Sequence, residues 1–459
     1  MTATLTTSSG PGILRRPYAL TTAGSWSLVF LAAFESLAVT TIMPIVTDDL
    51  NGRGLYSLAF AATLAAGVVG MVVSGAWADS RGPAAPLLTA IGLFALGLLV
   101  AGTAPAMTVF VAGRFLQGLG AGGITVSLYV LIAKVYPPAL HVKIFGAYAS
   151  AWVLPSMIGP FAAGLVADVF SWHWVFLGVV VLVAAALAMI APSLRGHRPD
   201  VPRGPAFDGR RLAAAAVVAA AVVALSSGAE LDQRLAWALA PVAILVIGLT
   251  ARGLFPPGTY RARPGLPAVV LLCAAAGAVF FGTEVYLPLL LQERYGLPAW
   301  LSGITLTAAA VAWALASAVQ GRLADRLRPA TAMHWGAGLL AAGAFTVLAT
   351  AALALPAAAP ALPAAAAALG WFLAGAGMGT LYPRISALVL AKSEPGQEGF
   401  NTSAKAIADS LAGSVSLALT GLIFAGLGDA ATRTPYLGVL VFTGAISLSV
   451  LWLSTRTRA

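Results

Sequence analysis

Gly75-Ala76-Trp77-Ala78-Asp79-Ser80-Arg81-Gly82 closes one long apolar stretch, and Gly321-Arg322-Leu323-Ala324-Asp325-Arg326 closes another. In both, a glycine stands four residues before an aspartate, and arginine follows within two residues. Each copy sits where an apolar helix meets a polar loop. Such a pattern, recurring inside a hydrophobic chain, predicts two related membrane-embedded halves.

Working outward, the rest of the chain supports that reading. Of its 459 residues, 59% are hydrophobic and 9% charged. A helix that crosses the hydrocarbon layer needs roughly 20 apolar residues. Stretches of that length lie near 24–46, 55–78, 84–104, 106–136, 140–168 and 171–192, then 211–228 and 235–252, then 266–291, 299–321, 330–352, 361–391, 400–427 and 435–454. The expected fold is an all-α polytopic membrane protein of fourteen spans. It comprises a six-helix N-terminal bundle (1–192), a segment of cytoplasmic loops with two extra helices (193–265), and a six-helix C-terminal bundle (266–459). The first span is full length, so it reads as a retained helix and not a signal peptide.

Charge tests the count independently. With the N-terminus inside, the outer loops hold only Arg53, Arg234, Arg294 and Arg433 of the 26 Lys and Arg residues. Arg114, Arg384 and Lys405 fall within spans, and all the others lie in inner loops or at the termini. That asymmetry is the positive-inside rule. It accounts for the net charge of +10 without nucleic acid, and it places both termini in the cytoplasm of a plasma (inner) membrane protein. The lone cysteine, Cys273, and four scattered histidines offer no disulfide and no metal-ligand spacing. No G-x-x-x-x-G-K-[ST] loop is present. No cofactor or metal is expected, and no nucleophile and base stand at enzyme-motif spacing.

The halves match elsewhere. Gly118-Leu119-Gly120-Ala121-Gly122 in the fourth span parallels Gly375-Ala376-Gly377-Met378-Gly379 in the twelfth, and Met43-Pro44 parallels Leu287-Pro288. Small residues let helix backbones approach closely in lipid. With Gly113-Arg114-Phe115-Leu116-Gln117-Gly118 and the series Gly146, Pro155, Gly159, Pro160 and Gly164, the chain resembles the major facilitator superfamily, in particular its 14-helix drug:proton antiporter branch. Gly75, Asp79 and Gly82 match the family signature after the second span. Ser80 replaces the usual arginine, for which Arg81 could substitute, and Pro83 and Ala84 replace a basic pair. Gly321, Asp325 and Arg326 match better. The series in the fifth span resembles the antiporter motif, with Pro155 where glycine is usual. The resemblance implies alternating access between the halves, a proton gradient as energy source and a functional monomer.

Ionisable groups inside a bilayer cost about 2.5–3.5 kcal/mol on insertion scales and are functional candidates by default. Glu35, Glu284 and Asp409 are candidate proton carriers, since loss of hydration favours the protonated form of a carboxyl group. Arg114 is a candidate partner of Glu35. Lys405 stands one helical turn before Asp409 and is either its locked partner or part of a gate. Asp79 and Asp325, with Gly75, Arg81, Gly82, Gly321 and Arg326, are expected to act in conformational gating by engaging helix N-termini or nearby arginines. Trp152, Phe281, Tyr286, Trp313, Trp371 and Tyr382 are candidate linings of an amphipathic cavity, with core packing as the alternative. The two extra helices are expected outside the transport core. The expected function is proton-coupled efflux of hydrophobic or amphipathic compounds. Export of one specific lipid or metabolite, an uptake symporter and a non-transporting membrane receptor are the alternatives.

Overall fold

The computed structural model describes residues 12–52, 55–194, 208–227, 233–297, 299–323, 326–352, 361–428 and 432–458. Asp325, read above as half of the decisive repeat, lies outside them. The described residues form helices joined by turns and loops, with no strand among them, in the order α1 (Ala19–Asp49), α2 (Tyr56–Arg81), α3 (Ala84–Gly102), α4 (Met107–Val135), α5 (Pro138–Val169), α6 (His173–Ile190), α7 (Gly209–Ser227), α8 (Gln233–Thr250), α9 (Leu266–Glu284), α10 (Tyr286–Tyr295), α11 (Ala299–Arg322), α12 (Pro329–Ala352), α13 (Ala361–Ala391), α14 (Glu398–Gly426) and α15 (Thr434–Thr455).

Proline and glycine set the boundaries. Pro138, Pro267 and Pro435 stand at helix starts, where a missing N–H costs nothing. Gly82 takes φ +84°, a conformation that favours glycine, and its N–H donates to the Ala78 carbonyl at 2.9 Å, which turns the chain from α2 into α3. Inside spans, proline bends. Pro288 has no N–H for the Glu284 carbonyl, and the ninth span breaks there into α9 and α10. Pro155 and Pro160 each remove a bond from the α5 ladder, which bends by 47° between Pro138–Ser156 and Phe161–Val169.

Among the described residues, twelve helices are long and apolar enough to cross a membrane, or thirteen if the bent α5 pair is one span, with α9 and α10 making one span together. The fourteen expected from sequence slightly exceed this. The helix outside the count is α7. It opens on Gly209-Arg210-Arg211 and closes on Ser226-Ser227, so its unbroken apolar run, Leu212 to Leu225, falls short of the roughly 20 residues a span needs.

The packing repeats itself. In the first half α2 and α3 pack on α4, while α1 packs on α5 and α6; in the second, α11 and α12 pack on α13, while α9 packs on α14 and α15. Each half has its own core, one around Leu28, Phe94, Phe110 and Phe176, the other around Leu272, Met333, Trp371 and Tyr436. Between halves, α5 meets α11 and α13, and α14 meets α2 and α4. The extra helices α7 and α8 pack on each other and against α2 and α14, with Val218, Val222 and Ile247 meeting Val68, Ile407 and Leu411.

The two glycine runs explain the tightest crossings. A Cβ added at Gly118 or Gly122 would strike the backbone carbonyl of Thr63 or Gly67 on α2. One at Gly375 or Gly379 would strike that of Ala309 or Trp313 on α11. The same spacing therefore brings α4 onto α2 and α13 onto α11, backbone against backbone.

Candidate functional site

Midway along α1, Glu35 accepts a hydrogen bond from Arg114 Nη1 on α4, and the two form an ion pair. Both are buried, at 5% and 3% exposure. The same nitrogen donates to Gln117 Oε1 at 3.0 Å, one turn further along α4. The Thr63 hydroxyl on α2 donates to the Arg114 carbonyl at 3.2 Å, so the α2–α4 crossing fixes where the arginine starts. Arg114 Nε and Gln117 Nε2 are buried without a hydrogen-bond partner among the described residues. Two charges so far out of water persist only as a pair.

A second charged cluster spans both halves. On α14, Lys405 Nζ lies 3.9 Å from Asp409 Oδ2. The Tyr382 hydroxyl on α13 donates to Asp409 Oδ1. The Lys405 ammonium stands 4.8 Å from the Tyr382 ring centroid and 5.9 Å from that of Tyr129 on α4, within cation-π range. Gly277 on α9 makes the room: a Cβ there would come within 2.8 Å of Asp409 Oδ1 and 3.2 Å of the Tyr382 hydroxyl. Glu284 lies apart from both clusters, half-buried at the C-terminal end of α9 where the span breaks.

The ends on the arginine-rich side are tied across the halves. Asp79 at the end of α2 accepts from the N–H groups of Gly399, at 2.6 Å, and Phe400, at 2.8 Å. These are orphan donors of the first turn of α14, so a carboxylate from one half caps a helix of the other. Beside it Lys134 Nζ on α4 lies 3.6 Å from Glu398 Oε1. Gly75 permits the approach, since a Cβ there would come within 2.7 Å of the Gly399 carbonyl. At the related crossing, a Cβ at Gly146 on α5 would come within 2.9 Å of the Ser317 carbonyl on α11, and Gly321 lies in ordinary contact distance of Lys143. Arg81 and Arg326 are exposed. Gly159 faces Phe34 on α1, and Gly164 faces open space.

The aromatic candidates divide. Tyr382 and Trp313 meet edge to face at 5.2 Å, and half-buried Phe281 packs against Gly413. Trp371, read as a cavity lining, is 1% exposed and stacks at 4.5 Å on Phe280. It packs within the C-terminal core instead. Tyr286 is buried against Phe424, and Trp152 is 52% exposed. Sequence reading did not assign roles to Gln117, Tyr129, Gly277, Lys134 or Glu398. Gln117, three residues after Arg114, and Lys134, which follows its glycine run as Lys392 follows the other, carry a sequence signal; the rest do not.

The pattern of the Major Facilitator Superfamily matches residues 25–362, and the chain belongs to that family. It is a multi-pass membrane transporter and not an enzyme. Relatives include the multidrug efflux pump SdrM of Staphylococcus aureus (strain N315), 27% identical over 296 residues. That match covers 62% of this chain and 65% of SdrM, so the chain spans just under two thirds of that relative. The probable multidrug-efflux transporter Rv1634 of Mycobacterium tuberculosis (strain ATCC 25618 / H37Rv) is 26% identical over 439 residues, 91% of this chain and 90% of its own length. Among solved structures, a bacterial homologue of the iron transporter ferroportin in an outward-facing state matches with TM-score 0.73 at 11% identity, over 95% of this chain and 99% of that one. The human organic anion transporter MFSD10 matches with TM-score 0.69 at 14% identity, over 96% and 100%. At these identities the solved structures speak for the fold alone.

Proposed function

We propose that the chain exports hydrophobic or amphipathic compounds across the plasma (inner) membrane by proton-driven antiport, as a monomer with both termini cytoplasmic. The observation that carries this reading is the buried Glu35–Arg114 pair. Relatives named as multidrug efflux transporters support the export direction. Residues 1–192 and 266–459 act as the two rocking bodies, with 193–265 as an insertion on their flank.

The tied α2–α14 end closes the arginine-rich side and reads as an outward-facing arrangement. A proton arriving from outside neutralises Glu35 and cancels the attraction that holds Arg114. The guanidinium then keeps only its bond to Gln117, and α1 and α4 are free to shift against each other. On the inner side the proton leaves and the pair re-forms. Asp409, held by Lys405 and Tyr382, and Glu284 at the span break are the other carboxyl groups able to carry a proton. Tyr382, Trp313 and Phe281 supply stacking faces for a lipophilic cation.

The test is ethidium efflux from proteoliposomes under an imposed pH gradient, comparing wild type with Glu35→Gln, Glu284→Gln and Asp409→Asn. Gradient-driven efflux that falls to the protein-free rate in Glu35→Gln is expected. Wild-type rates in that variant, with loss in one of the others, would move the proton site there.

A further inference from the structure

The loop between α8 and α9 is built around three arginines that neither the fold nor the transport reading uses. Arg252, Pro256, Pro257, Gly258, Tyr260, Arg261 and Arg263 line an open cavity of about 430 Å³ there. The loop joins two spans on the side that collects the arginines.

Its frame is rigid. Gly258 (φ +95°) and Ala262 (φ +46°) both take left-handed backbone conformations, and the second is costly for a residue with a side chain. The N–H groups of Arg261 and Arg263 both donate to the Gly258 carbonyl, at 3.0 and 3.2 Å. The buried Thr259 hydroxyl donates to Pro256 O at 2.7 Å, and Tyr260 donates to Gly248 O on α8 at 2.9 Å. The C-terminal end of the chain clamps the other side: Arg456 Nη1 donates to Ala262 O at 3.2 Å, and its own carbonyl accepts from Gly265 N at 3.0 Å. The Arg263 side chain crosses directly over Gly258, where a Cβ would come within 2.5 Å of its Cδ. Arg252 lies 5.8 Å from the Tyr260 ring centroid.

No carboxylate among the described residues pairs with Arg252, Arg261 or Arg263. Three like charges gathered on a preorganised loop repel one another unless an anion joins them. A guanidinium is matched in shape to phosphate, which it binds through two parallel N–H donors. The cytoplasmic leaflet attracts such clusters, but the positive-inside rule alone asks only for charge in the loop. It does not ask for a strained frame that turns the charges onto one cavity.

We infer that the α8–α9 loop is a binding site for a phosphate-bearing anion, held by Arg252, Arg261 and Arg263 and coupling the flanking insertion to the C-terminal half. The phosphate belongs either to an anionic phospholipid headgroup or to a soluble phosphate compound.

The test uses the full chain in nanodiscs of phosphatidylcholine alone or with phosphatidylglycerol. Lipid retained after detergent extraction is read by native mass spectrometry. Wild type is compared with Arg252→Gln/Arg261→Gln/Arg263→Gln and with Arg195→Gln/Arg198→Gln/Arg203→Gln, which removes the same charge from another loop of that side. A triple Arg→Lys variant of the pocket keeps the charge and guards against misfolding, which size-exclusion elution monitors. Selective retention of phosphatidylglycerol, lost in the pocket Gln variant, weakened in the Lys variant and kept in the control, supports the site with a lipid occupant. Saturable binding of inorganic phosphate in phosphatidylcholine discs, abolished by the pocket variant and without preference for phosphatidylglycerol, supports it with a soluble one. Neither anion retained by wild type, or equal loss in pocket variant and control, overturns it. None of these readouts depends on efflux, so failure of the antiport reading leaves this test intact.

Discussion

At the residue scale the molecule turns on buried charges and what answers them. Glu35 and Arg114 stand out in the sequence as ionisable groups in apolar spans and as candidate partners, and the packing of α1 near α4 brings them into contact. Removing one member leaves the other charged and out of water, which costs about 3–5 kcal/mol. Arg114→Leu is therefore expected to lower the thermal unfolding midpoint, and Glu35→Gln to do so by less, since an amide still accepts from the guanidinium. If a detergent-solubilised Arg114→Leu protein melts with wild type, the pair holds nothing together. Lys405 is held differently, by one carboxylate and two aromatic faces. Its spacing from Asp409 is legible from the i, i+4 pattern, whereas Tyr129 and Tyr382 come from helices far away in the chain. Tyr129→Leu is expected to change the ethidium concentration dependence while leaving the protein's melting close to wild type. Unchanged efflux kinetics would remove Tyr129 from the cluster's function.

At the element scale, glycine and proline decide which helices touch and which bend. The α2–α4 and α11–α13 crossings put glycines of one helix against carbonyls of the next, so Gly122→Val and Gly379→Val must push backbones apart. Overpacking of this kind costs about 1–3 kcal/mol, and both variants are expected to melt earlier than wild type. Gly92→Ala, with nothing within 4 Å of its new Cβ, is the comparison and should melt with wild type. A fluorescence-detected melting series that fails to separate the two crossings from Gly92 would contradict the packing. Both glycine runs are legible in the sequence, because close approach in lipid demands small residues at a helical spacing. The α7 helix is harder to read, because its serines and arginines trim an otherwise apolar helix from both ends.

For the whole molecule, the question is what keeps the arginine-rich side shut. Asp79 lends its carboxylate to the first turn of α14, and Lys134 meets Glu398 beside it. Losing a cap costs about 0.5–2 kcal/mol, enough to shift a two-state balance several-fold. Asp79→Ala, which removes both acceptor oxygens, is expected to populate the inward-open state. The measurement is the distance between spin labels placed near the start of α3 and the start of α14. A distribution identical to wild type would leave the α2–α14 contact without a gating role.

The sequence by itself determined the all-helical membrane architecture, the twofold repeat, the sidedness of charge and the short set of intramembrane ionisable residues. Each of these is written in local composition: a span needs an unbroken apolar run, loops on one side need arginine, and a buried charge is conspicuous in any hydrophobic stretch. Tertiary structure alone decided the partnerships. That Asp79 engages a helix N-terminus is legible in the sequence, but not that the helix is α14; nothing near Lys405 foretells that Tyr129 stands over its ammonium, and core packing of Trp371 is one of two readings that the fold decides. Those contacts join residues far apart in the chain, and they exist because two bundles of nearly equivalent helices pack against each other. The arginines of the α8–α9 loop belong to both categories. Their charge follows from topology, but only the folded loop, with its left-handed residues and its clamp from Arg456, turns them onto one cavity.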